Sequence, residues 1–175
     1  MDTIVIYKTK YGSTGEYAKY IAERLGCDAV EAKNISSDEL CEYKNIVYGG
    51  GLYAEVINGV GLITKNANKL SDKKIAVFTT GITPLDCRAY YDGEVIEKNF
   101  KNGVPSNIRI FNFMGKMKTD ELSAVHKAAL KTLKKIMSSK KNPSELERLL
   151  VELCDFNDDC VNLPDADCLV DYIKS

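Results

Sequence analysis

A chain of 175 residues, 45% of them hydrophobic, has enough apolar mass for one continuous core, so a single domain over residues 1–175 is expected. Its 24 basic and 25 acidic side chains leave a formal net charge of -1, which gives no global field for nucleic acid or an anionic membrane. Six cysteines (Cys27, Cys41, Cys87, Cys154, Cys160, Cys168) include no CxxC pair, no charged-then-apolar leader opens the chain, and no apolar run nears the roughly 20 residues of a bilayer span, so reduced thiols and a cytoplasmic protein are expected.

The chain opens with a short apolar run, Thr3 to Tyr7, then a polar glycine-containing loop, then a helical pattern with Tyr17, Ala18, Ile21, Ala22 and Leu25 on one face. Asp28 to Ala32 is a weaker strand. Asn45 to Tyr48 reads as a strand ending in a loop at Gly49, Gly50 and Gly51, and Val56 to Leu70 has helical spacing. Lys74 to Thr80 is the clearest buried strand, stopped by Gly81 and Pro84 before a helix over about 86–100, and Asn107 to Phe113 makes the fifth strand. Short apolar strands alternating with helices predict an α/β, doubly wound parallel sheet of order 2-1-3-4-5. Beyond it, Thr119 to Met137 and Pro143 to Leu153 form a helical insertion over about 115–153. An acidic loop, Asp155 to Asp159, and a last helix, Asp165 to Lys174, close the chain.

In such sheets ligands sit outside the carboxyl ends of the strands, and three loops converge there: 9–14, 49–55 and 79–86. The first, Thr9-Lys-Tyr-Gly-Ser-Thr14, lies before a helix. Unpaired N–H groups, the positive end of the helix dipole and the hydroxyls of Thr9, Ser13 and Thr14 favour a phosphate there, with Gly12 for close approach and Lys10 at the rim. The competing reading is that Ser13 or Thr14 simply caps the helix.

Thr9-x-Tyr11-Gly12-Ser13-Thr14 resembles the flavodoxin phosphate loop, Thr/Ser-x-Thr-Gly-x-Thr, with Tyr11 in place of the usual threonine. The resemblance implies a flavodoxin-like three-layer sandwich in which Thr9, Tyr11, Gly12, Ser13 and Thr14 hold the phosphate of FMN. In the second loop Gly50, Gly51 and Leu52 would lie along the flavin and Tyr53 would stack on it; in the third, Thr79, Thr80, Gly81 and Ile82 would meet its polar edge. Gly49-x-Gly51-x-x-Ala54 also matches a dinucleotide fingerprint, but it follows the third strand, where that motif does not belong. Tyr90 or Tyr91 is a weaker candidate for the second flavin face.

From the third strand onward the chain resembles the flavodoxin-domain group that includes menaquinone-dependent protoporphyrinogen oxidase, through the Gly-Gly-Leu-Tyr loop, the Ile108-Arg-Ile-Phe-Asn-Phe strand and the Leu122 to Met137 helix. The resemblance implies FMN-dependent redox chemistry with a redox partner or an acceptor such as a quinone. A one-electron carrier and a non-redox interaction module are the alternatives. The insertion helix sets Leu122, Val125, Ala129, Leu130, Leu133, Ile136 and Met137 against a face of lysines, read as packing with a solvated basic side or, alternatively, as a peripheral membrane or partner-docking surface near the flavin, suited to a lipid quinone acceptor. His126, the single histidine, is assigned no catalytic task, and Cys154, Cys160 and Cys168 lack metal-ligand spacing.

Overall fold

The computed structural model describes residues 2–175; Met1 lies outside them. The strands are β1 (Thr3–Lys8), β2 (Ala29–Glu31), β3 (Asn45–Tyr53), β4 (Val56–Ile57), β5 (Lys74–Gly81), β6 (Ile108–Met114), β7 (Lys116–Met117) and β8 (Asp158–Asp159). The helices are α1 (Ser13–Leu25), α2 (Ser37–Leu40), α3 (Gly61–Thr64), α4 (Ile96–Asn99, continuing a π-helical turn Ala89–Val95), α5 (Ala124–Ser138), α6 (Glu145–Leu153) and α7 (Asp167–Lys174). Five parallel strands form the main sheet in the order β2-β1-β3-β5-β6, with β4 antiparallel to the end of β3. This is the predicted flavodoxin-like succession, with one short strand added off the path.

Period-two alternation divides the core between the two faces of the sheet. Ile4 and Ile6 of β1, Ile46 and Tyr48 of β3 and Ile75 and Val77 of β5 pack on one side with Ile57, Ile63, Tyr91, Val95 and Phe100. Val5 and Tyr7, Val47, and Ala76 and Phe78 pack on the other with Tyr17, Ala18 and Ile21 of α1 and Leu169, Val170 and Ile173 of α7. Continuous apolar runs are what a sheet covered on both faces requires.

Two segments differ from the sequence expectation. The glycines after Tyr48 do not leave the sheet: β3 runs on, pairing Gly49 with Phe78, Gly50 with Thr79 and Gly51 with Thr80. They are glycines because of what lies over them. A Cβ at Gly49 would meet the Phe78 ring at 2.1 Å, and one at Gly50 would lie 2.8 Å from the Asn58 carbonyl oxygen. Val56 and Ile57, expected to begin a helix, instead return along β3, and only Gly61–Thr64 is α-helical before a run of turns. Gly59, at φ +79°, breaks the chain direction there, so the apolar spacing of Ile57, Val60, Ile63 and Leu70 serves turns that face the core.

The insertion has a different construction. β7 and β8 pair as a two-stranded ribbon, so part of the expected acidic loop is a strand. The ribbon carries α5 and α6, neither of which has a fully buried residue. Ser123 caps α5 and Ser144 caps α6 with a capping box, so both helices close their own first turns. Leu122 and Cys154 at the foot of the pair are buried, and Leu146 packs against the first core cluster.

Candidate functional site

The loop from β1 to α1 turns on Gly12, at φ +99°, a conformation that only glycine adopts without strain. Its N–H donates to Thr9 Oγ1 at 3.0 Å, which pinches the loop. Gly12 is also the N-cap of α1, and having no side chain it cannot satisfy the N–H groups of the first turn. Ser13 and Thr14 lie inside that turn, so neither is its cap. Ser13 Oγ accepts the Lys116 N–H at 3.1 Å, and Thr14 Oγ1 shares a proton with Thr80 Oγ1 at 2.7 Å. The helix end therefore keeps its donors and its dipole for an anion. Lys116 also pairs with Glu16 at 2.6 Å, which holds its ammonium charge and raises its pKa.

The second loop is a tight hairpin between β3 and β4. Its central residues, Ala54 (φ 47°) and Glu55 (φ 64°), both occupy left-handed backbone that non-glycine residues rarely adopt. Asn99 holds this strained turn in place: its Nδ2 donates to the Glu55 carbonyl at 2.7 Å while its Oδ1 accepts the Ile57 N–H at 2.9 Å. The hairpin presents Tyr53, whose ring folds back over Gly51, where a Cβ would lie 3.2 Å from the ring. Burial pushes the Tyr53 phenol up to about 12.

The third wall is the end of β5 with the turn after it. Thr80, Gly81, Ile82 and Thr83 border the same space, and Tyr90 closes it from the π-helical turn. Tyr91 stands behind, its hydroxyl donating to the Thr83 carbonyl at 2.6 Å. At the end of β6, Gly115 donates to the Gly81 carbonyl at 2.7 Å, which seats the start of the insertion against this wall.

Together with the insertion these walls enclose a cavity of about 650 Å³, within the ~300–1,000 Å³ common for small-molecule and cofactor sites. Of the residues named from sequence, Thr9, Tyr11, Ser13, Thr14, Gly51, Leu52, Tyr53, Thr80, Gly81 and Ile82 all border it. The other four are placed elsewhere. Lys10 is exposed, with its Nζ 3.3 Å from His126 Nε2; Gly12 shapes the loop from behind. Gly50 is covered by Ile57 and Asn58. Thr79 is fully buried and donates to Asn112 Oδ1 at 2.6 Å, because alternation along β5 turns it away from the ligand side that Thr80 faces.

The fourth wall comes from the insertion, whose apolar face the sequence left open between packing on the domain and a docking surface near the flavin. α5 and α6 lie over the opening, adding Leu122, His126, Leu130, Leu133, Met137, Leu150 and Leu153 to the lining. His126 is the joint: its Nδ1 is 2.7 Å from the Tyr11 hydroxyl, and its ring lies 5.6 Å from Tyr11 and 5.5 Å from Tyr53. Burial first, and Lys10 second, lower the His126 pKa and favour the neutral imidazole. The amphipathic spacing of α5 was visible in the sequence, but the spacing does not say that the apolar side faces a cavity.

No helix among the described residues is long and apolar enough to cross a membrane, and no cluster of His, Cys, Asp or Glu suited to a metal ion occurs among them.

No curated protein matches the chain. Among solved structures it is similar to a flavodoxin from the domain Archaea, at 14% identity and a TM-score of 0.44, over 89% of this chain and 97% of that one. A Trp repressor binding protein from Bacillus subtilis is 13% identical at a TM-score of 0.47, over 69% and 88% of the two chains. Oxidised flavodoxin 2 from Bacillus cereus is 19% identical at a TM-score of 0.38, over 69% and 90%. A family model described as a flavodoxin domain matches residues 4–145, which run from Ile4 in β1 through the β1–α1 loop and the rest of the parallel sheet to α5, and on that match the chain belongs to the flavodoxin domain family.

Proposed function

We propose that this chain, an FMN-binding flavoprotein of redox chemistry by its family, passes electrons to a flat apolar acceptor of the quinone class that binds beside the flavin. The residues present suit the cofactor. The uncapped end of α1, with the hydroxyls of Thr9, Ser13 and Thr14, would hold the phosphate, and Leu52, Tyr53, Ile82 and Tyr90 would flank the ring. When bound, FMN supplies the electron-transfer chemistry; the protein binds it, orients it and controls what reaches it.

One observation carries the acceptor class. The cavity continues without a break from the three flavin loops to the leucine-lined underside of α5 and α6, so its outer part, beyond those loops, is apolar. An apolar compartment of this kind supports a small apolar acceptor over donation to protein surfaces alone. A quinone, with apolar rings and two carbonyl oxygens, fits it. Protoporphyrinogen is the finer alternative as an electron donor, though the insertion from Gly115 to Lys141 has neither arginine nor aromatic residues to meet its carboxylates and rings.

The test is anaerobic: FMN-loaded protein is reduced, and re-oxidation of the flavin bands is followed after adding menadione, a soluble naphthoquinone. Saturable re-oxidation by menadione, slowed by Leu133→Asp, is the expected result. Re-oxidation that is equally fast in Leu133→Asp, or none at all, would contradict the acceptor site.

A further inference from the structure

The phosphate loop carries a phenol where its motif usually has a small hydroxyl residue, and the chain's single histidine meets that phenol from the insertion. We propose that Tyr11 is the proton donor to an acceptor reduced in the cavity, and that His126 resupplies it from the solvent side; this rests on the redox reading of the same cavity.

The hydrogen bonds fix a direction. An ammonium group has donors only, so Lys10 Nζ, 3.3 Å from His126 Nε2, makes Nε2 the acceptor. A neutral imidazole then carries its proton on Nδ1, which donates to the Tyr11 oxygen at 2.7 Å. The Ser123 N–H, at the start of α5, donates to the same oxygen at 3.3 Å. With its oxygen accepting twice, Tyr11 keeps its own O–H for a third partner, and Tyr11 borders the cavity. The sequence of donors therefore runs from exposed Lys10 through both ring nitrogens of His126 to Tyr11 and inward.

The proton count closes. When bound, reduced flavin would supply a quinone in this cavity with its electron pair and one proton, and the second proton, at a carbonyl oxygen, would come from the Tyr11 O–H. The Tyr11 oxygen takes the Nδ1 proton of His126, Nε2 takes one from the Lys10 ammonium, and water restores Lys10; the ring, left with its proton on Nε2, returns to the Nδ1–H form by exchanging that proton with solvent. The net transfer is one proton from bulk water to the quinone. Because Nε2 must be free to accept, the relay needs neutral His126. The titratable groups facing that ring are Lys10 and Tyr11 from the phosphate loop and Tyr53 from the end of β3. None is a carboxylate that would favour the charged ring, so the acid limb of turnover falls below the ordinary histidine range.

Tyr11 is the catalytic residue of this scheme and His126 its positioning and resupplying partner. His126→Gln separates the two roles of the histidine: the glutamine amide can still donate to Tyr11, but it cannot pass a proton on. With FMN-loaded protein and menadione, H126Q is expected to lose about 10²-fold in kcat, in the range of general acid catalysis, with flavin content and KM retained and the acid limb abolished. Wild-type turnover in H126Q would overturn the relay. A second measurement does not depend on the acceptor. With only one histidine, a long-range proton–nitrogen correlation of the ring reports its tautomer directly. The Nδ1–H form is expected, mixing with the other tautomer in Tyr11→Phe, whereas a ring protonated on Nε2 would also overturn the proposal. Failure of the wild-type holoprotein to reduce menadione would remove the acceptor reading, and the tautomer would still decide the relay geometry.

Discussion

The parallel sheet and the helical insertion are held together in opposite ways. In the sheet, side chains of β1, β3 and β5 are buried on both faces and the backbone is paired strand to strand. In the insertion, α5 and α6 bury no residue fully, and Val125 and Ile136 of α5 are 75% and 53% exposed. The sheet derives its stability from burial. The insertion stands on a two-stranded ribbon, its own helix caps and ion pairs such as Lys134 with Asp155 and Lys140 with Glu147, which as exposed pairs contribute little. The proposed acceptor would enter between these two differently built parts.

The largest effect that would break this contrast is at Gly49. A methyl group there collides with the Phe78 ring, so Gly49→Ala is expected to lose about 3 kcal/mol or more in chemical denaturation. A loss near zero would mean that β3 and β5 are not packed as described. Leu133→Ala in α5 is expected to cost less than about 1 kcal/mol, since its site is only partly buried, while weakening menadione binding several-fold.

A third prediction concerns the joint between loops. Thr14→Val removes a hydroxyl that bonds Thr80 and borders the cavity, and FMN affinity is expected to weaken about tenfold as the proposed phosphate site loses that group. Fluorescence titration of FMN reads this directly. The alkaline side gives a fourth. Burial pushes Tyr53 and Tyr90 up to about 12 from 10.0, so both must become charged less readily folded than unfolded. Their contribution is complete below about pH 10 and is lost as pH rises toward 12, so the denaturation midpoint should fall over that window and fall less in Tyr53→Phe. The smallest effect is at the strained hairpin: Ala54→Gly is expected to stabilise by about 1 kcal/mol or less by relieving the left-handed backbone.

The sequence made the sheet legible because Ile4, Val5, Ile6 and their counterparts in β3 and β5 are an unbroken apolar record of burial on two faces. It made the phosphate loop legible because Gly12 and its hydroxyl neighbours sit between a strand and a helix. It misled at Gly49 to Gly51, where glycines that usually end strands are present to admit Phe78 and Asn58. Thr79 and Thr80 could not be told apart without the register that turns one inward to Asn112 and the other to Thr14. The place of His126 at the cavity was hidden for a different reason. It depends on a contact across more than a hundred residues with Tyr11, and amphipathic spacing gives no partner.

The most direct measurement is the visible absorption spectrum of the purified protein after incubation with FMN and removal of free ligand. The account predicts retained flavin bands, diminished in Thr14→Val in step with its weaker affinity. A colourless protein in which the sheet is demonstrably folded would contradict it.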